Sequence, residues 1–350
     1  MAKRKRDKQK KIQEQDLKYS GSALFALLLS CFFISGLTGL TYEILWIRMI
    51  VKIIGGAPFA VSIVLTVFMG GLGLGSYLAG RRIDRIKDPL KLIRLYGILE
   101  LVIGAYGLIL PLLLVLFRPV FSIIYNHLFG NFLAYNLITF AGCFLLLIIP
   151  VTCMGATLPI LSRFFITRIS RVGTHVGRLY GLNTIGAAAG SVMCGFLLIN
   201  HLGVWGTLFF AIVLNAIIGV ICIRVSSSAS KKTGAHDVKT SREDEISGPG
   251  NGEDNIRFAL VIFFISGFCA MAYEVIWTRL LGLIVGPTTY SFTIVLVTFI
   301  TGLALGSIFF GWLGDRIRNV TILLLSTQIV AALSALLMSQ VMGNSQIFFA

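Results

Sequence analysis

Charge is what this sequence is shortest of: 13% of its 350 residues are Asp, Glu, Lys or Arg, and 15 are acidic. Soluble domains carry about 25% charged residues, so a soluble globular fold is excluded. Histidine is scarce too, and His127, His175, His201 and His236 are scattered singly. The six cysteines (Cys31, Cys143, Cys153, Cys194, Cys222 and Cys269) fall in or beside apolar runs, without metal-ligand spacing. They read as small buried residues rather than a metal site or a disulfide framework. No Ser/His/Asp or Cys/His catalytic grouping is visible. The run Gly70-Gly-Leu-Gly-Leu-Gly75 fails the G-x-G-x-x-G spacing of a nucleotide loop. No catalytic residue, cofactor or metal is therefore expected in this chain.

What the chain has in excess is apolar sequence: 56% hydrophobic residues and a mean hydropathy of +0.88. Several runs exceed the ~18 residues that carry a helix across ~30 Å of hydrocarbon. The fold class is an all-α polytopic membrane protein, whose main partner is the lipid bilayer. Spans are expected at 22–54, 58–80, 91–117, 132–164, 178–200, 203–223, 257–285, 289–312 and 320–342, about nine in all. Residues 118–131 read as a short amphipathic outer segment.

The net charge of +15 suggests nucleic acid until its distribution is plotted. Of 30 Lys and Arg, 26 fall in residues 1–18, 81–94, 163–178, 224–257 and 316–318. With every apolar run a span, all 26 share one side, as the positive-inside rule requires. The N-terminus and the 224–256 linker are then cytoplasmic, in a bacterial inner or plasma membrane. Lys52 and Arg118 alone sit at the opposite ends of spans, with Arg48 and Arg279 inside them. No aromatic-and-basic surface accompanies the charge, so nucleic acid is not a partner. The first apolar run is too long for a signal peptide and has no small-residue cleavage site; it reads as a retained span.

Residues 33–86 repeat without a gap at 264–317, with 23 of 54 positions identical. Shared are Phe33-Ile34-Ser35-Gly36 with Phe264-Ile265-Ser266-Gly267, and Tyr42-Glu43-x-x-Trp46-x-Arg48 with Tyr273-Glu274-x-x-Trp277-x-Arg279. Gly71, Leu74, Gly75 and Ser76 match Gly302, Leu305, Gly306 and Ser307; Gly80, Asp84 and Arg85 match Gly311, Asp315 and Arg316. Six spans precede the return, so both copies enter the membrane in one orientation, as parallel repeats do. The expected organisation is a basic cytoplasmic tail (1–21), a six-span half (22–223), a polar disordered linker (224–256) and three spans of a second half (257–350). That second half is incomplete against a symmetric twelve-helix molecule, and the sequence reads as a fragment.

Glu43, Glu100 and Glu274 are the carboxylates within spans. Each costs about 2.5–3.5 kcal/mol or more at the bilayer centre, so each must face protein or water. Glu43 lies about 15 Å from the outer end of its helix, near the midplane. Two readings stand side by side. In one, Glu43 and Glu274, walled by Tyr42, Trp46, Tyr273 and Trp277, bind a cationic solute by charge and cation–π contact. In the other, these carboxylates form structural ion pairs with Arg48 and Arg279. Glu and Arg at i,i+5 do not share a helix face, so each Arg needs a partner elsewhere. Glu100 corresponds to Gln328 once a three-residue loop difference is allowed, which suggests asymmetric use. Glycines four apart at 71/75, 302/306 and 186/190 predict close helix packing.

The loop Gly80-x-x-x-Asp84-Arg85, and still more Gly311-Trp-Leu-Gly-Asp315-Arg316, resembles the motif between spans two and three of the major facilitator superfamily. The wider set is similar to the membrane part of fused transporter-like/spermidine-synthase-like proteins. It comprises Ser35-Gly36, Tyr42-Glu43-x-x-Trp46-x-Arg48, Met154-Gly-Ala-Thr-Leu-Pro159 and Leu179-Tyr-Gly-Leu-Asn183-Thr-Ile-Gly186-Ala. The resemblance implies a major-facilitator-like bundle, a cationic or polyamine-related solute, and a following cytoplasmic aminopropyltransferase-like domain. It also implies that Asp315 caps the start of the fifth span. That domain's Gly-rich loop and catalytic Asp are not among these residues. The alternatives are a membrane anchor for that enzyme and a non-transporting scaffold.

Overall fold

A computed structural model of the chain describes residues 2–55, 57–86, 88–128, 130–166, 172–233, 252–286, 289–314, 316–317 and 320–343. The helices are α1 (Ala2–Ile54), α2 (Ala57–Ile83), α3 (Pro89–Leu128), α4 (Phe132–Ile166), α5 (Val172–Val192), α6 (Ile199–Thr233), α7 (Gly252–Val285), α8 (Thr289–Gly314) and α9 (Val320–Gly343). A π-helical turn, Met193–Leu198, joins α5 to α6. No strand occurs among the described residues. With no water in the hydrocarbon to satisfy backbone groups, a chain this apolar spans as helices.

Eight stretches are long and apolar enough to cross a membrane, and the longest, Gly177–Ser228, has 52 residues. At ~1.5 Å per residue it would run ~78 Å, over twice the hydrocarbon thickness. It turns at Gly203, whose φ of 68° is not helical, and so supplies two of the expected nine spans. Two boundaries differ from expectation. The 118–131 segment is not separate: α3 continues through Pro119 to Leu128. The linker is also shorter than composition suggests, because α6 runs to Thr233 and α7 begins at Gly252; residues 234–251 lie outside the described set.

The repeat is structural. Gly55 (φ 86°) follows α1 and its mate Gly286 (φ 100°) follows α7, each in the left-handed conformation that closes a helix at little cost only for glycine. Both copies also stack their aromatic pair, Tyr42 on Trp46 at 5.3 Å and Tyr273 on Trp277 at 5.5 Å between ring centroids.

The first half coheres by backbone approach. A side chain at Gly36 would overlap the Asn183 carbonyl, one at Gly186 the Phe33 carbonyl and one at Gly190 the Leu37 carbonyl, so α1 and α5 touch main chain to main chain. The Asn183 amide fastens the same crossing, donating to the Phe32 carbonyl at 2.8 Å. Gly75 and Gly155 do likewise between α2 and α4, and Gly71 makes room for the Val151 side chain; Ser76 Oγ there donates to the Gly155 carbonyl at 3.0 Å. Close packing therefore holds for the glycines of the first half. It does not hold for Gly302 and Gly306, whose surroundings are open; no described helix lies against α8 where α4 lies against α2. The α7 and α9 spans are accordingly much less buried than those of the first half, whereas α8, which packs on α5, is only somewhat less so.

Candidate functional site

In the last quarter of α1 sits Glu43, within electrostatic reach of α7. Glu43 and its mate Glu274 are each 1% exposed, and Glu274 is the charged group that acts on Glu43 through space. The repeat thus leaves its two carboxylates buried and within electrostatic reach of each other. Glu43 Oε1 and both carboxylate oxygens of Glu274 are buried and have no hydrogen-bond partner among the described residues.

The ion pairs expected from Arg48 and Arg279 are not formed with either carboxylate. The one salt bridge among the described residues is Arg163 Nε to Asp84 Oδ1, 3.9 Å, at a solvent-facing turn. The i,i+5 spacing explains this, since it aims each Arg away from its own Glu. Arg48 instead approaches Cys194 of the π turn, and Arg279 is exposed.

The aromatic residues of the motif do other work as well. Tyr42 packs its ring against Gly107 of α3, and Trp46 lies 5.8 Å from the Phe68 ring of α2. Both are fully buried inside the first half, stacked on each other as i and i+4 neighbours on one helix face. Tyr273 and Trp277 are half-buried.

Glu100 belongs to a different node. Ser35 Oγ donates to its Oε1 at 2.6 Å and Asn215 Nδ2 to its Oε2 at 2.9 Å, with the Tyr96 hydroxyl beside them. This fully buried carboxylate ties α1, α3 and α6 together within the first half, where charge-assisted hydrogen bonds in low dielectric are strongest. Sequence reading missed Asn215, although a lone amide in the apolar run 203–223 signals a buried polar contact. Gln328, the counterpart of Glu100, is half-buried on α9.

Of the loop motifs, Gly80 is half-buried, and Asp84 and Arg85 lie exposed at the turn after α2. Asp315 is outside the described residues. Its helix nevertheless follows the start of α5, where a side chain at Gly177 would meet the Ser307 carbonyl at 3.1 Å and Gly311 Cα at 3.5 Å. Arg316 stacks over Trp312 at 3.9 Å. Farther along the same pair, Gly195 meets Thr293. Asn200 and Tyr290 share a hydrogen bond at 3.2 Å, and Phe196 lies 5.4 Å from the Tyr290 ring. The seam between α8 and the span that runs from α5 through the π turn to Asn200 at the start of α6 is the main contact between the halves. An open 780 Å³ cleft beside it is lined by Arg178, Gly306, Phe309 and Trp312.

No group of three or more His, Cys, Asp or Glu residues suited to a metal ion occurs among the described residues. No family model matches the chain, and neither a curated protein nor a solved structure does. Fold and site together define an integral membrane protein with a helical bundle.

Proposed function

We propose that this bundle is the membrane region of a transporter-like, spermidine-synthase-like fusion protein. In this reading it moves a polyamine-related or other cationic small molecule by alternating access. The observation that carries the reading is that Glu43 and Glu274 are both buried, within electrostatic reach, with unpartnered carboxylate oxygens and no salt bridge among the described residues. Two carboxylates within electrostatic reach in low dielectric call for a positive guest. An amine with two or more positive charges suits a site with two anionic contacts. Glu100, held by Ser35 and Asn215, serves the scaffold in this scheme, and Tyr42 and Trp46 support Glu43 from behind.

The test is calorimetric titration of the 350-residue chain in lipid nanodiscs with putrescine, spermidine and sodium chloride. Spermidine should bind, and Glu43→Gln or Glu274→Gln should each weaken binding about tenfold or more, because truncating one partner of a buried charge contact costs ~2–5 kcal/mol. Unchanged binding by both variants, or no amine binding at all, would leave the membrane-anchor or scaffold reading in its place. Uptake of labelled polyamine into proteoliposomes then separates transport from binding.

A further inference from the structure

The end of the bundle opposite the basic segments carries two Lys or Arg residues, Lys52 and Arg118, and no Asp or Glu. Sixty-six residues apart in sequence, they line the same pocket of 270 Å³. Its walls are Pro111 and Leu114 of α3 and Val204 and Trp205 of α6, beside the end of α1. Trp205 and Val115 at the mouth are 62% and 67% exposed, so the pocket opens sideways, where lipid lies. Neither cation forms a salt bridge among the described residues, and no acidic residue exists at that end to provide one. Topology does not require the pair, because positive charge is disfavoured at that end. Nor does the repeat, since the mate of Lys52 is Leu283, an apolar residue 83% exposed.

We infer that this pocket binds the headgroup of an anionic phospholipid from the outer leaflet. Lys52 and Arg118 hold the phosphate, and an acyl chain follows the apolar wall. The volume falls just below the ~300–1,000 Å³ of drug-sized sites, which fits a headgroup whose chains remain in the bilayer. Long basic side chains lay their stems along such walls and keep the charge at the interface, and Trp205 sits at the depth where tryptophan is enriched. The mixture of two cations with an apolar wall favours an amphiphile over a free inorganic anion.

The probe is phosphatidylglycerol carrying a diazirine near its headgroup, photolysed with the purified chain in nanodiscs and mapped by peptide mass spectrometry. Mapping separates this pocket from the basic ends, which also attract anionic lipid. Labelling should concentrate at residues 111–118 and 204–205, and the same probe built on phosphatidylcholine should label there far less. A cation near the surface contributes about fivefold in affinity for anionic lipid, so Lys52→Gln with Arg118→Gln should weaken labelling roughly thirtyfold. Lys52→Arg should restore most of the loss caused by Lys52→Gln. Both positions are exposed, so the variants should fold, which their unchanged elution as a monodisperse peak would verify. Equal labelling by the choline lipid, or full labelling of the double variant, would overturn the site. Competition by glycerol phosphate as effective as that of the lipid would reassign it to a soluble anion and overturn the lipid claim.

Discussion

Adding one methyl group at Gly36 and one at Gly267 places the same change in both copies of the repeat and in two different surroundings. At Gly36 the methyl overlaps the Asn183 carbonyl. That carbonyl cannot retreat freely, because the Asn183 amide is tied to Phe32 at 2.8 Å and Gly186 and Gly190 hold the same crossing. Overpacking of this kind costs ~1–3 kcal/mol, and contact with backbone rather than a flexible side chain argues for the upper part of that range. Gly267 has nothing within 4 Å, so there the methyl gains helix propensity of up to ~1 kcal/mol. The propensity term is common to both sites and cancels in the comparison, leaving the clash. At about 2–4 °C per kcal/mol for a unit of 150–250 residues, Gly36→Ala should melt roughly 4–10 °C below Gly267→Ala in detergent. Differential scanning fluorimetry on intrinsic tryptophan reads this directly. Melting points within a degree of each other would refute the claim that α1 and α5 touch through their backbones. Gly75→Ala against Gly306→Ala is the same experiment on α2 and α8.

Glu100→Gln should keep the fold, since an amide oxygen still accepts from Ser35 or Asn215. Glu100→Leu leaves a buried Asn215 donor unpaired and should cost about 1–3 kcal/mol by thermal melting; equal losses would place the node's value elsewhere. Among the described cysteines, Cys269 is exposed whereas Cys31, Cys143, Cys194 and Cys222 are buried, so N-ethylmaleimide in detergent should modify Cys269 first, as followed by intact mass. Asp84→Ala should shift the melting point by no more than about 1 kcal/mol allows, because its contact with Arg163 is long and solvent-facing. A large loss would mean that the turn carries more than that ion pair.

The sequence carried the helices and their number in its apolar runs, and the repeat carried the turns: Gly55 and Gly286, identical in the alignment, are both left-handed. It also singled out Glu43 and Glu274, since a carboxylate in hydrocarbon announces a buried contact wherever it sits. Facing was harder to read. Periodicity grouped Tyr42 and Trp46 with Glu43, yet the aromatic pair packs against α3 and α2 of the first half, while Glu43 lies within electrostatic reach of Glu274. The Glu100 node was hidden because its partners come from helices 65 and 115 residues away, a pairing that no local pattern encodes. Glycine spacing showed which faces could pack closely, but not whether a neighbour was present, which is why 71/75 and 302/306 read alike and differ in space.

The seam that α8 makes with α5 and the start of α6 is held separately near each end, by the close approach of Gly177 to Ser307 and by the Asn200–Tyr290 hydrogen bond. Like a book pressed shut at head and foot, it can part at one end only by pivoting on the other, so the two fastenings act as alternatives. A bulky residue at Gly177 and a broken hydrogen bond at Tyr290 therefore loosen the same contact from opposite ends, and under the proposed alternating access they would favour opposite states of the molecule.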